Sequence, residues 1–293
     1  VKLSDFINGK NDLNVRLETD LNFEASEESW IMTYDSYYGV FDGNGHRIEN
    51  LTRDRYETQS AITPHLYGTV KNVCFSMIHL NDPDGTEQGS GAICGRNYGT
   101  IENCIVIGIH IDSTAESSDS FKTDKGFIAG WNMGTIRDCY TSGNFNEGDG
   151  EVYPVTRNMR GTIENTYYES ETETEDGGRT WEQFIQGDVC WELNKGVTDG
   201  TQKWYQNLDE SDDPDYSPDL IRSLDASHGV VRETYKGCRG GYYTNKESVK
   251  PVHDMEYTAQ GDTLTAACKS DASHKVSATV KAEKDIIQND GKP

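Results

Sequence analysis

The sequence predicts an all-β fold, a parallel β-solenoid over residues 40 to 168, and three observations carry that expectation. The first is an internal repeat, the signature of stacked architectures. Gly91-Ala-Ile-Cys-Gly-Arg-Asn-Tyr-Gly-Thr-Ile-Glu-Asn-Cys104 aligns without gaps on Gly126-Phe-Ile-Ala-Gly-Trp-Asn-Met-Gly-Thr-Ile-Arg-Asp-Cys139. Second, the latter half of this unit recurs as Gly68-Thr-Val-Lys-Asn-Val73 and Gly161-Thr-Ile-Glu-Asn-Thr166. It recurs more loosely as Ile48-Glu-Asn-Leu51 after the turn Asp42-Gly-Asn-Gly45, which makes five rungs. Third, the units carry glycine every few residues, β-branched residues at core-like positions and no sustained helical period, a pattern of short strands.

Unit length varies from rung to rung. A solenoid tolerates this, because each coil touches only its neighbours and its loops project outward. Coils stacked in register about 4.8 Å apart bring equivalent residues into columns. Ile48, Val70, Ile101, Ile136 and Ile163 make an aliphatic column expected inside, and Leu51, Val73, Cys104, Cys139 and Thr166 a second one. Cysteine at such a position acts as a small buried hydrophobe, so free thiols are expected in preference to a Cys104–Cys139 bridge.

Three further columns face outward or turn a corner. Glu49, Lys71, Glu102, Arg137 and Glu164 alternate in sign along the axis. Asn50, Asn72, Asn103, Asp138 and Asn165 follow them; these residue types tolerate left-handed backbone and bond laterally, as in a corner ladder. Strand alternation then turns Cys74, Ile105, Tyr140 and Tyr167 outward. A row of exposed apolar and tyrosine side chains is typical of a recognition strip, unless an inserted loop such as residues 144–155 covers it. Tyr140, Tyr167 and Ile105 are therefore the candidate ligand-binding residues.

The flanks complete the solenoid. Leu3 to Phe23, with Phe6, Ile7, Val15, Leu17 and Leu21, reads as an N-terminal cap and first strands, so the solenoid with its cap occupies residues 1–168. Residues 169–235 read as an acidic loop, Glu169 to Gly178, then a capping helix and closing strands around Leu193 to Gly196 and Trp204 to Leu208. Thr180 with Gln183 makes a capping box, and Trp181, Phe184, Ile185 and Val189 line one helix face. A closure is needed because the end of a solenoid is an unpaired edge. Residues 236–293 alternate apolar and polar residues around Gln260-Gly-Asp262 and read as a small β module.

Composition narrows the partners. The 293 residues carry 50 Asp and Glu against 27 Lys and Arg, a formal net charge of -23, which repels phosphate backbones and anionic membrane surfaces. Mean hydropathy is -0.76, yet aromatics reach 10% with 16 Tyr, so the chain is polar without the aromatic poverty of disorder. No apolar stretch approaches the roughly 20 residues that span a bilayer. The start at Val1 and the charged end at Pro293 read as a piece of a longer protein. Seven Cys cannot form a closed set of disulfides, and their spacing lacks a zinc-ligand pattern.

The pattern Gly-x-Ile-x-Gly-x-Asn-x-Gly-x-Ile-x-(Asn/Asp)-Cys at 91–104 and 126–139 resembles the GLUG motif. That motif occurs in large surface proteins of Gram-positive anaerobes and in the non-catalytic part of bacterial immunoglobulin A metallopeptidases. The resemblance implies a right-handed parallel β-helix with a secreted or cell-surface location. The segment after residue 250 is similar to modules that follow such helices in gut-bacterial surface proteins.

Chemistry finds little support in the residues. Glycoside hydrolysis needs two carboxylates about 5 to 9.5 Å apart across one groove, and the repeated acids instead alternate with Lys and Arg. Asp42 and Asp138 are the best-placed acids, each with a plainer reading as turn former or ladder member. No His-Glu-x-x-His occurs among the seven His, no Gly-x-Ser-x-Gly elbow occurs, and Ser117 to Ser120 reads as a loop. No cofactor is expected except calcium, for which Asp209 to Asp215 offers hard oxygen ligands without the EF-hand spacing. The expectation is a non-catalytic extracellular module presenting loops and a tyrosine-bearing face to a host glycoprotein, glycan or immunoglobulin. A polysaccharide-acting enzyme and an inert spacer are the alternatives.

Overall fold

The computed structural model describes residues 10–24, 31–53, 60–81, 89–112, 125–143, 152–195, 203–208, 214–221, 229–235, 242–248, 255–261, 263–268 and 275–279. The expected cap residues Leu3, Phe6 and Ile7, the loop residues 117–120 and 144–151, and residues 209–213 of the acidic run lie outside them. Two compact units divide the chain, Val1–Val249 and Lys250–Pro293.

The first unit is a parallel β-solenoid. It opens with β1 (Val15–Arg16) and β2 (Leu21–Asn22), followed by β3 (Val40–Asp42), β4 (Arg47–Glu49) and β5 (Thr52–Arg53). The next coil holds β6 (Thr63–Leu66), β7 (Thr69–Ser76) and β8 (His79–Asn81), and the one after it β9 (Cys94–Asn97), β10 (Thr100–Ile107) and β11 (His110–Asp112). Then come β12 (Lys125–Gly126), β13 (Ala129–Asn132) and β14 (Thr135–Ser142), and last β15 (Val152–Tyr153), β16 (Arg157–Asn158) and β17 (Thr162–Glu169). Strands β1, β3, β7, β10, β14 and β17 stack in that order and end on β18 (Gly178–Arg179); β6, β9, β13 and β16 form a second sheet and β5, β8 and β11 a third.

Side-chain alternation within these strands decides the core. Val70, Ile101, Ile136 and Ile163 stand in one register, as do Val73 with Cys104 and Cys139 with Thr166. Cys104 and Cys139 are free thiols, wholly buried. Burial pushes the Cys104 thiol up, and the neighbouring Cys139 adds to this. The first rung differs from expectation. Phe41, not Ile48, pairs with Val70, and Ile48 pairs with Phe75. The turn at Gly43 to Gly45 splits what is one long strand in later coils, so the loose repeat at residues 48–51 sits one strand downstream. The charge column consequently starts earlier and runs Arg16, Asp42, Lys71, Glu102, Arg137, Glu164.

Two ladders turn the corners. Asn72, Asn103, Asp138 and Asn165 all adopt left-handed backbone, with φ of 54°, 50°, 53° and 43°. Asn72 donates to Asp42 at 2.9 Å and Asn165 to Asp138 at 2.7 Å, bonding coil to coil. At the other corner the chain turns inward on asparagine: Asn97 donates to Asn132 at 2.7 Å and Asn132 to Asn158 at 3.5 Å. Gly99 and Gly134 follow this ladder, and Gly68 holds the same place after Leu66; each is so close to the carbonyl of the glycine one coil above that a Cβ would collide with it.

The closing segment holds α1 (Trp181–Ile185), α2 (Asp188–Leu193), β19 (Trp204–Tyr205), β20 (Asp219–Leu220), β21 (Gly229–Tyr235) and β22 (Tyr242–Ser248). The capping box forms: Gln183 N donates to Thr180 Oγ1 at 3.4 Å, and Thr180 N donates to Gln183 Oε1 at 2.9 Å. Gly187, at φ 90°, separates the two short helices. Phe184 and Val189 are buried, whereas Trp181 is exposed and stacks on Tyr216. Because β21 pairs antiparallel with β22, residues 242–248 belong to the first unit, and the small β module starts later than residue 236. That module holds β23 (Met255–Gln260), β24 (Thr263–Cys268) and β25 (Lys275–Thr279), an antiparallel meander.

Candidate functional site

Cys74, Ile105, Tyr140 and Tyr167 do form one register column pointing away from the lumen. The expectation that this column is exposed is corrected: Ile105 and Tyr140 are 1% accessible and Tyr167 is 7%. Phe184, Val189, Cys190, Leu193, Trp204, Leu220 and Val231 cover it. The closing segment packs against the side of the solenoid, where an apolar column demands cover. Tyr140 anchors it. Its hydroxyl donates to Pro218 O at 2.6 Å, and its ring lies between Phe184 and Trp204, at 5.6 and 5.8 Å. Burial raises the Tyr140 hydroxyl far above its usual range, which suits a permanent donor. Tyr167 donates to Asn165 Oδ1 at 2.8 Å, and Arg179 stacks over its ring. An ion pair from Arg47 to Asp219 at 2.6 Å ties β20 to β4.

A tyrosine-bearing face exists elsewhere, on the β6, β9, β13, β16 sheet. In the segment Arg96-Asn97-Tyr98-Gly99 the alternation sends Asn97 into the lumen, where it is wholly buried, and turns its two neighbours outward. The equivalent outward residues are His65, Arg96, Trp131 and Arg157 in one register column. In the next stand Tyr38, Tyr67, Tyr98, Met133 and Met159, each coil bonding to the one above at this point. Tyr38 and Tyr67 stack at 5.0 Å with 11° between their planes, and Tyr67 and Tyr98 at 4.7 Å with 5°. Trp131 closes the row edge-on against Tyr98 at 5.5 Å, with the Arg96 guanidinium 5.0 Å over its ring.

The geometry follows from the coil repeat. Rings on successive rungs sit one strand spacing apart, close to the distance at which aromatic faces meet, and such pairs contribute about 0.5 to 1.5 kcal/mol each. Tyr67 is stacked on both faces, Tyr38 and Tyr98 on one each, and Trp131 meets Tyr98 edge-on. Tyr38 is 58% accessible, Tyr67 45%, Met133 43% and Met159 50%. Such a run of large exposed side chains is unusual for a free surface. The signal was present in the chain as three Tyr-Gly pairs, Tyr38-Gly39, Tyr67-Gly68 and Tyr98-Gly99, each leading into a core strand.

The other candidates are engaged in structure. Asp42 accepts from Asn72 at 2.9 Å and from the Asn44 amide at 2.9 Å, and Asp138 accepts from Asn165. Glu102 accepts from Arg137. Asp215, at the end of the proposed calcium loop, accepts from Asn207 N at 2.7 Å. Among the described residues no group of three His, Cys, Asp or Glu is placed to hold a metal, and no helix is long and apolar enough to cross a membrane. Comparison with protein-family models, curated proteins and solved structures gave no match.

Proposed function

We propose that this chain is a non-catalytic binding module of a secreted or surface protein, and that it recognises another protein through the strip of Tyr38, Tyr67, Tyr98 and Trp131. The observation that carries the reading is the stack itself, with Tyr38 and Tyr67 exposed and Tyr98 and Trp131 half-buried. Its members, Tyr, Trp, Met and Arg, are the types enriched at the centres of protein interfaces. A ring ladder also holds these side chains in place before binding, so little conformational freedom is lost when a partner docks. A sugar stacks on the face of an aromatic ring, and here the faces of Tyr67 are already taken on both sides. That favours a polypeptide over a glycan. The repeated carboxylates, tied to asparagines and arginine, favour support over hydrolysis.

A capture experiment separates these readings. Wild-type protein and the Tyr67→Ala/Tyr98→Ala variant are immobilised and exposed to immunoglobulin A, immunoglobulin G and a mucin-type glycoprotein, each with and without its glycans, and to a glycan array. Immunoglobulin A comes first because of the GLUG resemblance. The reading expects a protein probe to be held equally with and without its sugars and to bind the variant at least tenfold more weakly. Binding that vanishes on deglycosylation, or that ignores the variant, overturns it.

A further inference from the structure

The last coil is closed incompletely. Beyond it β17 pairs only with β18, at Tyr168 and Glu169, Gly177 lies against Thr166 O, Asn165 donates to Leu193 O, and β16 ends its sheet, so among the described residues 162–164 have no strand partner on that side. Beneath this edge lies a cavity of about 620 Å³, within the range of ligand pockets. Val155, Ile163 and Tyr168 form its apolar floor, and Asn158, Glu175 and Asp176 stand at its mouth. Ile163 shows what is missing. Its column mates Ile101 and Ile136 are wholly buried, whereas Ile163 is only half-buried. The charge column ends here too: after Arg16, Asp42, Lys71, Glu102 and Arg137 it stops on the exposed acid Glu164.

The geometry points to a second binding site, separate from the tyrosine strip, that takes an extended polypeptide strand as one more rung. An unpaired strand edge supplies main-chain donors and acceptors for such an addition, and side-chain pockets beside it set the specificity. The incoming strand places an aliphatic side chain over Ile163, and the next residue is a Lys or Arg over Glu164, continuing the alternation of sign. Glu175 and Asp176 at the mouth favour the same charge.

The chain's own segment of residues 68–72, in which Lys71 follows Val70, fits this pattern and stops short of Thr166, Tyr168 and Glu169, over which Gly177, Gly178 and Arg179 already lie. Synthesised with a fluorescent label, it is the probe, and its Lys71→Glu counterpart is the control. Polarisation titrations against the whole protein at low salt should show saturable binding of the Lys peptide and roughly fivefold weaker binding of the control, the ratio expected from one cross-strand ion pair. Glu164→Lys in the protein should reverse that preference. Hydrogen exchange gives a readout that needs no variant: the peptide should slow the amides of residues 163–165, whereas Thr162 N already donates back to Gly134 O. Equal affinity for the two peptides, or unchanged exchange at those amides, overturns the site. So does a mass that grows with concentration in the absence of peptide, which would assign the edge to a second copy.

Discussion

Asn97 donates to the side chain of Asn132, one coil away, at 2.7 Å, and both are wholly buried. Each amide oxygen then accepts the backbone N–H of the glycine two residues on, at 3.1 Å in both coils. The ladder adds side-chain bonds at this turn to the backbone bonds that Met133 and Gly134 make to Asn97 O. Asn132→Ala should therefore lower the unfolding free energy by about 2 kcal/mol, the cost of stranding buried partners. Asn158→Ala, at the exposed end, should cost less than half of that. Urea unfolding of the two variants checks the order.

Gly99 has no room for a side chain beneath the Gly68 carbonyl. Gly99→Ala should force the coils apart and cost about 2 kcal/mol, in the range of an overpacked core. The readout is the midpoint of thermal unfolding, with loss of cooperativity if the stack breaks there.

Arg137 lies between Glu102 and Glu164 in the charge column and bonds Glu102. Arg137→Glu sets three acids in succession. The expected loss is about 1 kcal/mol or less because the site is partly exposed, and it should shrink as salt is raised. An equal loss at low and high salt would contradict the electrostatic reading.

Asp188, in the first turn of α2, is pushed up to about 6 by burial first and then by Glu173 and Glu192. Its folded value lies above its ordinary one, so its stabilising effect is complete at low pH and is lost as pH rises through about 6. Asp188→Asn should raise the melting temperature at pH 7.5 and leave it nearly unchanged at pH 4. A variant that changes stability equally at both would show that Asp188 does not titrate with folding.

Much of this structure is legible in the chain. The repeat aligned Ile101 with Ile136 and Glu102 with Arg137, and coil stacking pairs those same residues. Local chemistry was equally readable, as at the Thr180–Gln183 cap and the left-handed Asn72, Asn103, Asp138 and Asn165. Register failed at Ile48, where the turn at Gly43 to Gly45 broke the strand and moved the motif. The site failed for a different reason. Alternation states which side of a strand a residue faces, but not what covers that side, and Tyr140 is covered by Phe184 and Trp204 from far along the chain. The tyrosines that stay exposed lie in the other half of the repeat, one residue before each glycine, where a core-seeking pattern does not look.

Tyrosine-selective surface labelling, read by mass spectrometry with and without a captured protein partner, tests the binding face most directly. In the free protein Tyr38 and Tyr67 should label readily and Tyr140 should not. In the complex the account predicts protection of Tyr38, Tyr67 and Tyr98 together. Unchanged labelling of the three stacked tyrosines in a saturated complex would contradict it.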